Sequence, residues 1–235
     1  MKRNRFRLRY RPAAHLRPVP YAATIAETGL PQLFNPFRER DPDVDLARAP
    51  ALRRANLRRY LAAQQRLGRG RDLWLAEAPG ATGTRRTGIP LVDERELPLA
   101  NAAFAIEPPL QRATRGGPVG KTTTGTAIWA EIARTGYRPV LWNVLPHHPF
   151  RENTPRLTNR APRAGEVKRF TPLVAEVYET LCAGQGATPR VVAIGRFAER
   201  LSLALGLPCS YVRHPAQGGL RAFREGMAAL YPQGG

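Results

Sequence analysis

The sequence predicts a three-layer α/β/α fold with a central, mostly parallel, four-stranded sheet. The first observation is that short apolar runs alternate with segments of helical periodicity, which is typical of parallel β-α-β units with helices on both faces. The second is the set of runs itself, which fits strands over residues 72–77, 138–144, 190–194 and 210–213. The third is size: 235 residues, 43% of them hydrophobic, are enough to bury a sizeable core.

The other elements follow in chain order. Residues 1–20 alternate basic and apolar side chains, so we expect a flexible basic arm, followed by one α/β domain over residues 21–235. The proline-containing stretch 31–50 is expected to be extended. Apolar residues at helical spacing predict helices over the following stretches: 52–61, 125–134, 166–182, the residues from 195 onward, and 217–230. The Gly-, Pro- and Arg-rich stretch 81–120 and the stretch 146–162, which contains His147 and His148, are expected to be loops.

The net charge indicates the kind of partner. A formal charge of +19 and a sequence pI of about 11.4 favour binding to a polyanion, and nothing in the sequence separates DNA from RNA. No apolar run approaches the ~20 residues of a membrane span, and the basic N-terminus lacks the apolar segment of a signal peptide. We therefore expect no membrane partner and a cytoplasmic, nucleoid-associated protein in a bacterium.

Two motifs that would indicate a cofactor are incomplete. Cys182 and Cys209 are far apart and outside any CxxC pattern, so they predict reduced thiols rather than a zinc or iron–sulfur site. The segment 116–122, Gly-Gly-Pro-Val-Gly-Lys-Thr, places Arg115 where a phosphate-binding P-loop needs its first glycine. We therefore expect neither an NTPase nor a cofactor, and Lys121 is expected to contact phosphates or solvent.

Three polar residues follow three of the predicted strands. Glu77 comes after the first strand and before the Pro79-Gly80 turn, Asn143 ends the second, and His214 follows the fourth. Each one alone has an ordinary structural explanation, such as capping or an ion pair. Because the carboxyl ends of parallel strands meet at one edge of a sheet, the three together predict a cleft of the kind that reads and cleaves a nucleobase.

At these residues the chain resembles the uracil-DNA glycosylase superfamily. A first motif of the form G-x-x-P-G corresponds to residues 76–80, and a last motif that begins His-Pro corresponds to residues 214–219. The stretches 141–146 and 192–196 also fit, so the resemblance covers roughly residues 51–230. The Glu-Ala-Pro-Gly sequence is similar to the thermophilic, iron–sulfur-bearing branch.

The chain departs from that pattern at four points. The iron–sulfur cysteines are absent, so no cluster is expected, and Ala76 replaces the leading glycine of the first motif. Leu91 replaces the aromatic ring that stacks on the base, which removes a contact worth about 1–3 kcal/mol per base in nucleic-acid complexes. Ala78 stands where some members carry a water-activating Asp or Asn, which leaves Glu77 as the nearest carboxylate.

The resemblance implies a DNA-repair N-glycosylase that hydrolyses the N-glycosidic bond of uracil, or of a related deaminated base, in duplex or single-stranded DNA. It implies a monomer that extrudes the base from the stack. Glu77 would position water or stabilise the sugar cation, His214 would hydrogen-bond the base carbonyl, and Asn143 would match the pyrimidine edge. The alternative is a non-catalytic nucleic-acid-binding protein that retains the fold.

The remaining site assignments also come from the resemblance. Base-binding residues besides Asn143 are Ala78, Pro79, Gly80 and Leu91. DNA-binding residues are Arg85, Arg86, Lys121, Arg213, Gln217, Gly218 and Leu220. For Leu220 two interpretations stay open: it fills the space that the base vacates, or it is a core residue of the last helix.

Overall fold

The computed structural model describes residues 25, 30–116, 122–151, 158–184, 186 and 188–232. The predicted basic arm, residues 1–20, lies outside these ranges, and so does Lys121. The prediction of one domain over residues 21–235 therefore stays a prediction.

A four-stranded parallel sheet forms the centre of the fold. The strands in chain order are β1 Leu33–Phe34, β2 Leu73–Ala76, β3 Val140–Asn143, β4 His148–Pro149, β5 Val191–Ile194 and β6 Cys209–Val212. The central sheet has the order β3-β2-β5-β6, and every neighbouring pair is parallel. The two-residue strands β1 and β4 pair antiparallel outside it. The predicted fold class is confirmed.

Helices flank this sheet. They are α1 Ala49–Arg66, α2 Thr84–Thr87, α3 Leu97–Phe104, α4 Thr123–Thr135, α5 Ala164–Val177, α6 Arg196–Ala204 and α7 Leu220–Leu230, and a π-helical turn, Tyr178–Cys182, follows α5. None of the helices in the described ranges combines the length and apolar content that a membrane span requires.

The strands form where the apolar runs lie, because both faces of the sheet are covered. Every residue of β2, β3 and β5 is buried. Strands of a parallel sheet that is covered on both faces are nearly continuous apolar runs rather than alternating ones. This burial is why four short runs sufficed to predict the sheet.

The outer edge of β3 is covered by a side chain from α1. The hydroxyl of Tyr60, a fully buried residue, accepts the N–H of Leu141 at 2.7 Å and donates to the carbonyl of Leu141 at 3.0 Å. Both polar groups that this strand residue turns away from β2 are therefore paired, as buried backbone groups require.

The prediction of one long loop over residues 81–120 is wrong, because α2 and α3 lie within it. Helix α3 carries Pro98 in its first turn, where a missing N–H breaks no helical hydrogen bond, so the proline is compatible with a helix start. Helix α2 is a single turn that ends at Gly88, whose φ of 78° suits glycine. Because glycine and proline usually indicate turns, the composition of this stretch did not predict either helix.

The loop prediction is also wrong at His148, which begins β4. This residue and the preceding His147 are both fully buried. His147 Nε2 hydrogen-bonds the carbonyl of Ile25 at 3.1 Å, and His148 Nε2 hydrogen-bonds Asn159 Oδ1 at 2.8 Å. Burial lowers the pKa of each imidazole to about 4, so both are neutral at pH 7 and fit an apolar interior.

We expect these histidines to make the fold sensitive to acid. Their pKa is about 4 in the folded chain and ~6.5 when unfolded. At a pH below the pKa of the unfolded chain, the unfolded chain therefore binds more protons than the folded chain. The stabilisation that the two neutral histidines provide is complete above that pKa and is lost as the pH falls towards 4. The free energy of unfolding, measured by denaturant titration at several pH values, should fall by a few kcal/mol over this window.

A His148→Gln variant provides the control for that measurement. Glutamine cannot titrate in this range, so the variant should show a shallower loss of stability between the two pKa values. An identical slope in the variant and the native chain would show that His148 is not the group that titrates.

Candidate active site at the strand ends

The carboxyl ends of the four central strands meet at one edge, and they bring together the three residues predicted from the sequence. Ala76 of β2 pairs with Asn143 of β3. The ladder continues past both strands, because the N–H of Leu145 donates to the carbonyl of Glu77 at 3.0 Å. Glu77 and Asn143 therefore lie at the ends of adjacent strands, which are ~4.8 Å apart.

His214 reaches this edge from β6. It lies two residues beyond Val212, whose register partner on β5 is Ile194. A Cβ atom added to Gly195 would lie 3.3 Å from the Cβ of His214, so the histidine packs over the end of β5. Because β5 is the neighbour of β2, His214 faces the same edge as Glu77.

The hydrogen bonding of His214 defines its tautomer. Nδ1 accepts the backbone N–H of Ala216 at 3.2 Å. Burial, and secondly Arg213, lower the pKa of the imidazole below its usual value. A neutral imidazole whose Nδ1 accepts must carry its proton on Nε2. Within the described residues this Nε2–H has no partner, so it is available to donate to a ligand.

The turn after His214 is closed around Gly219. A Cβ atom at this position would lie 2.1 Å from the carbonyl oxygen of His214 and 3.1 Å from that of Ala216. The N–H of Gly219 also donates to Ala216 O at 3.1 Å. Only a residue without a side chain fits this turn, which fixes the backbone that carries the imidazole.

Glu77 is half-buried and carries a perturbed carboxyl group. Burial raises its pKa above the usual value, and the guanidinium of Arg200 on α6 opposes that rise. No described residue donates a hydrogen bond to its carboxylate. The oxygens are therefore open to water or to a ligand.

Asn143 is buried, with 2% of its surface exposed. Its Nδ2 donates to Thr84 Oγ1 at 3.2 Å, whereas its Oδ1 has no partner among the described residues. Thr84, on α2, also accepts the N–H of Leu91 at 3.2 Å. Thr84 was absent from the sequence-predicted site, because a threonine in a Gly- and Arg-rich stretch carries no signal that distinguishes it.

A small cavity adjoins Asn143 and Thr84. Its walls are formed by Ile25, Phe37, Leu57, Thr84, Gly88, Pro90, Trp142, Asn143 and Pro146. The volume is about 10 Å³, room for about one water molecule. A nucleobase would enter only after the lining side chains move apart.

The backbone of Leu91 is firmly held. Its N–H donates to Thr84, its carbonyl accepts from Trp129 Nε1 at 3.0 Å, and its φ of 59° is unusual for a leucine. Its side chain is 9% exposed and packs within the hydrophobic core, whereas the preceding Pro90 lines the cavity. The predicted contact of Leu91 with a base stays a prediction.

The turn that contains the predicted base-binding residues Ala78, Pro79 and Gly80 is tied to the segment after β4. Asn159 Oδ1 accepts the N–H of Ala81 at 3.2 Å and hydrogen-bonds His148. Pro79 is buried, while Ala78 and Gly80 are half-buried. The buried histidine thus supports the first motif through Asn159.

One predicted DNA contact is corrected by the structure. Arg85 is 2% exposed, forms an ion pair with Asp41 at 2.6 Å and stacks over Phe34 with 4.3 Å to the ring centroid. A guanidinium so enclosed does not lie where it could contact a phosphate. It holds the segment before α1 against α2 instead.

The other predicted DNA contacts lie nearer the surface. Arg213, Gln217 and Gly218 are exposed, and Arg86 is half-buried. Leu220 begins α7 and is partly buried against the core, so both of its interpretations stay open. Among the described residues no group of three His, Cys, Asp or Glu side chains could hold a metal ion.

Similarity to known proteins is found in structure and not in sequence. No protein-family model matches the chain, and no curated protein matches it in sequence. The crystal structure of wild-type SMUG2 from Pedobacter heparinus is similar, with a TM-score of 0.56 and 14% sequence identity, over 90% of this chain and 93% of that chain. At this level of identity the likeness shows that the two chains share a fold.

Proposed function

We propose that the protein is a DNA N-glycosylase that hydrolyses the bond between uracil, or a related deaminated base, and deoxyribose. The arrangement at the strand ends carries the proposal. A neutral imidazole, a carboxylate and a buried carboxamide lie at one edge of the sheet, and their Nε2–H, carboxylate oxygens and Oδ1 have no partner among the described residues. The fold around them is similar to that of SMUG2.

Each group suits one part of this reaction. As the glycosidic bond breaks, negative charge collects on a carbonyl oxygen of the leaving base, and the His214 Nε2–H can donate to it. The sugar passes through an oxocarbenium-like state, which the Glu77 carboxylate stabilises or meets with a bound water. Neither role requires a cofactor.

The surface beside the site suits DNA. The net charge of +19 provides phosphate contacts whose strength falls with salt. Arg213, Gln217 and Gly218 are exposed next to His214 and can reach the backbone around an extruded nucleotide. We propose that the protein acts as a monomer on DNA in the bacterial cytoplasm.

The second candidate is a DNA-binding protein that retains the fold without turnover. The observation that favours it is the cavity beside Asn143, which has room for about one water molecule rather than a base. The core position of Leu91 is consistent with it, since this side chain offers no aromatic surface on which a base could stack.

One assay separates the two. Labelled single-stranded and duplex oligonucleotides with one uracil, or with none, are incubated with the protein and then cleaved at abasic sites by alkali. A glycosylase produces a break only at the uracil position. Binding in a gel-shift assay without any break would support the second candidate and overturn the first.

Arg200 is expected to set the acid limit of the reaction. Its charge lowers the pKa of Glu77, so Arg200→Gln should raise that pKa further. If ionised Glu77 is the active form, activity is lost as the pH falls through its pKa, and the acid limb of the rate–pH profile moves to higher pH. Single-turnover rates across pH measure the shift.

The matched control for this profile is Arg224→Gln. Arg224 is exposed on α7 and does not influence the Glu77 pKa. Arg224→Gln loses one positive charge, as Arg200→Gln does, but should keep the acid limb of the native rate–pH profile. A shift of equal size in both variants would show that overall charge, rather than Arg200, sets the limb.

A further inference from the structure

We propose that a proton shared by Asp93 and Glu96 acts as a latch on the cavity beside Asn143. With the proton in place, the two carboxyl groups hold residues 88–93, the wall segment, against the start of α3 and of α4. Without it the two side chains repel each other, the wall segment moves outward and the cavity opens. Such a latch acts in the ligand-free protein, whatever reaction the site performs.

The two carboxyl groups are buried and directed to the same place. Asp93 is 1% exposed and Glu96 is 6% exposed. A Cβ atom added to Gly125, in the first turn of α4, would lie 3.1 Å from Asp93 Oδ2 and 3.5 Å from Glu96 Oε2. When two carboxyl groups share a buried site, ionisation of one strongly disfavours ionisation of the other. The pair is therefore expected to retain one proton at neutral pH.

The hydrogen bonds around the pair leave one position for that proton. Asp93 Oδ1 accepts the N–H of Arg95 at 2.9 Å, and Asp93 Oδ2 accepts the hydroxyl of Thr122 at 2.6 Å. Glu96 Oε2 is buried, and no described residue donates to it. A carboxylate only accepts hydrogen bonds, whereas a protonated carboxyl group donates one. Glu96 must therefore carry the proton when it hydrogen-bonds Asp93.

The charges around Glu96 agree with this position of the proton. Burial, followed by the hydrogen bond to Asp93 and the charge of Asp93, raises the pKa of Glu96 to about 8. Within the described ranges Asp93 is the one charged group that acts on this carboxyl. The neighbouring Glu94 pairs with Arg112 at 3.2 Å, and Glu131 of α4 forms an ion pair within its own helix. The pair thus has no counter-charge among the described residues.

The pair is connected to the cavity through the wall segment, two residues of which line the cavity. Trp129 of α4 donates to the carbonyl of Leu91 at 3.0 Å, and Thr122, the N-cap of α4, donates to Asp93. Because Glu96 is the N-cap of α3, the shared proton adds the link to that helix. Loss of the proton would break this link directly behind the cavity wall.

The shared proton gives the opening a defined pH dependence. In the open form the Glu96 carboxyl meets water, where its pKa returns to an ordinary ~4.3. In the closed form the pKa is about 8. Between these two values the closed form binds more protons than the open form, so opening becomes more favourable as the pH rises. The gain is about tenfold for each pH unit and ends above the pKa of the closed form.

Hydrogen exchange of the ligand-free protein, followed by mass spectrometry, measures this local opening. Peptides that span the wall segment are compared from pH ~7, above the range in which ordinary histidines titrate, to pH ~9. After correction for intrinsic exchange, their protection should fall about tenfold per pH unit up to about pH 8 and then level off. Peptides of β5 serve as the internal reference and should keep their protection.

Glu96→Gln tests which group titrates. An amide donates to Asp93 at every pH, so this variant should hold the wall segment closed and show protection that does not change with pH. Glu225→Gln is the matched control, because Glu225 is exposed on α7, and it should behave as the native chain does. A fall in protection of equal size in Glu96→Gln and in the native chain would overturn the latch.

An infrared spectrum of the native chain makes the test independent of how the variant folds. The C=O stretch of a protonated carboxyl group is distinct from the bands of a carboxylate. We expect such a band at pH ~7 that disappears as the pH rises through about 8. An ion pair with Lys121, which lies outside the described ranges, would instead keep both carboxyl groups ionised. The absence of a band that titrates in this window would therefore overturn the latch.

Discussion

His214→Ala should lower the rate of base release by a factor on the order of 10² to 10³ and leave the affinity for DNA nearly unchanged. In the proposed reaction the Nε2–H of the neutral imidazole donates to charge that exists only as the bond breaks, so its loss should affect the transition state more than binding. Single-turnover release from a uracil-containing oligonucleotide and a gel-shift titration measure the two quantities.

Glu77→Gln should likewise lower the rate of base release and leave the affinity for DNA nearly unchanged, because an amide cannot stabilise a sugar cation as a carboxylate does. Glu225→Gln is the matched control, since Glu225 is 62% exposed at its side chain and, within the part of the chain that the structure describes, pairs with Arg221 alone. An equal loss of binding and turnover in the His214 or Glu77 variant, or unaltered turnover, would contradict these roles.

Gly219→Ala should be as damaging as removal of the imidazole itself. The new methyl group would lie 2.1 Å from the carbonyl oxygen of His214, and the neighbouring Ala216 carbonyl is also too close. Both obstacles are backbone atoms, so the turn must open and carry His214 away from its position. A displacement of about 1 Å costs roughly 10²-fold in rate, which the single-turnover assay detects.

Gly165→Ala supplies the control for that substitution. A Cβ atom at Gly165 meets nothing within 4 Å, and the residue lies in α5, where alanine is favoured over glycine. This variant should keep the native rate and have an equal or slightly higher melting temperature. A native rate in Gly219→Ala would mean that the turn adapts without moving His214.

The strand ends could be predicted from the sequence because their signal is local. Each buried strand is a short apolar run, and Glu77, Asn143 and His214 follow three of them directly. Parallel topology then requires that these residues share one edge. Motif and topology agreed, and the structure places all three there.

Long-range pairing could not be predicted in the same way. Arg85 looked like a surface cation because its partner Asp41 lies 44 residues earlier, and its stacking on Phe34 depends on the fold. The two histidines were expected in a loop, because a sequence does not show that burial keeps an imidazole neutral. Thr84 becomes significant only through its contact with Asn143, 59 residues away.

The hydrogen bonds between the Tyr60 hydroxyl of α1 and strand β3 also affect how the protein behaves at high concentration. An open strand edge is a template on which another chain can add a strand, the first step of edge-to-edge aggregation. Tyr60 pairs both outward groups of Leu141 and so occupies that template within a four-residue strand. Tyr60→Phe keeps the covering ring but leaves both buried groups of Leu141 unpaired, at a cost of about 1–3 kcal/mol. Helix α1 should therefore detach from β3 more often, and solutions of the variant should form β-rich aggregates at lower concentrations than the native chain, as light scattering would show.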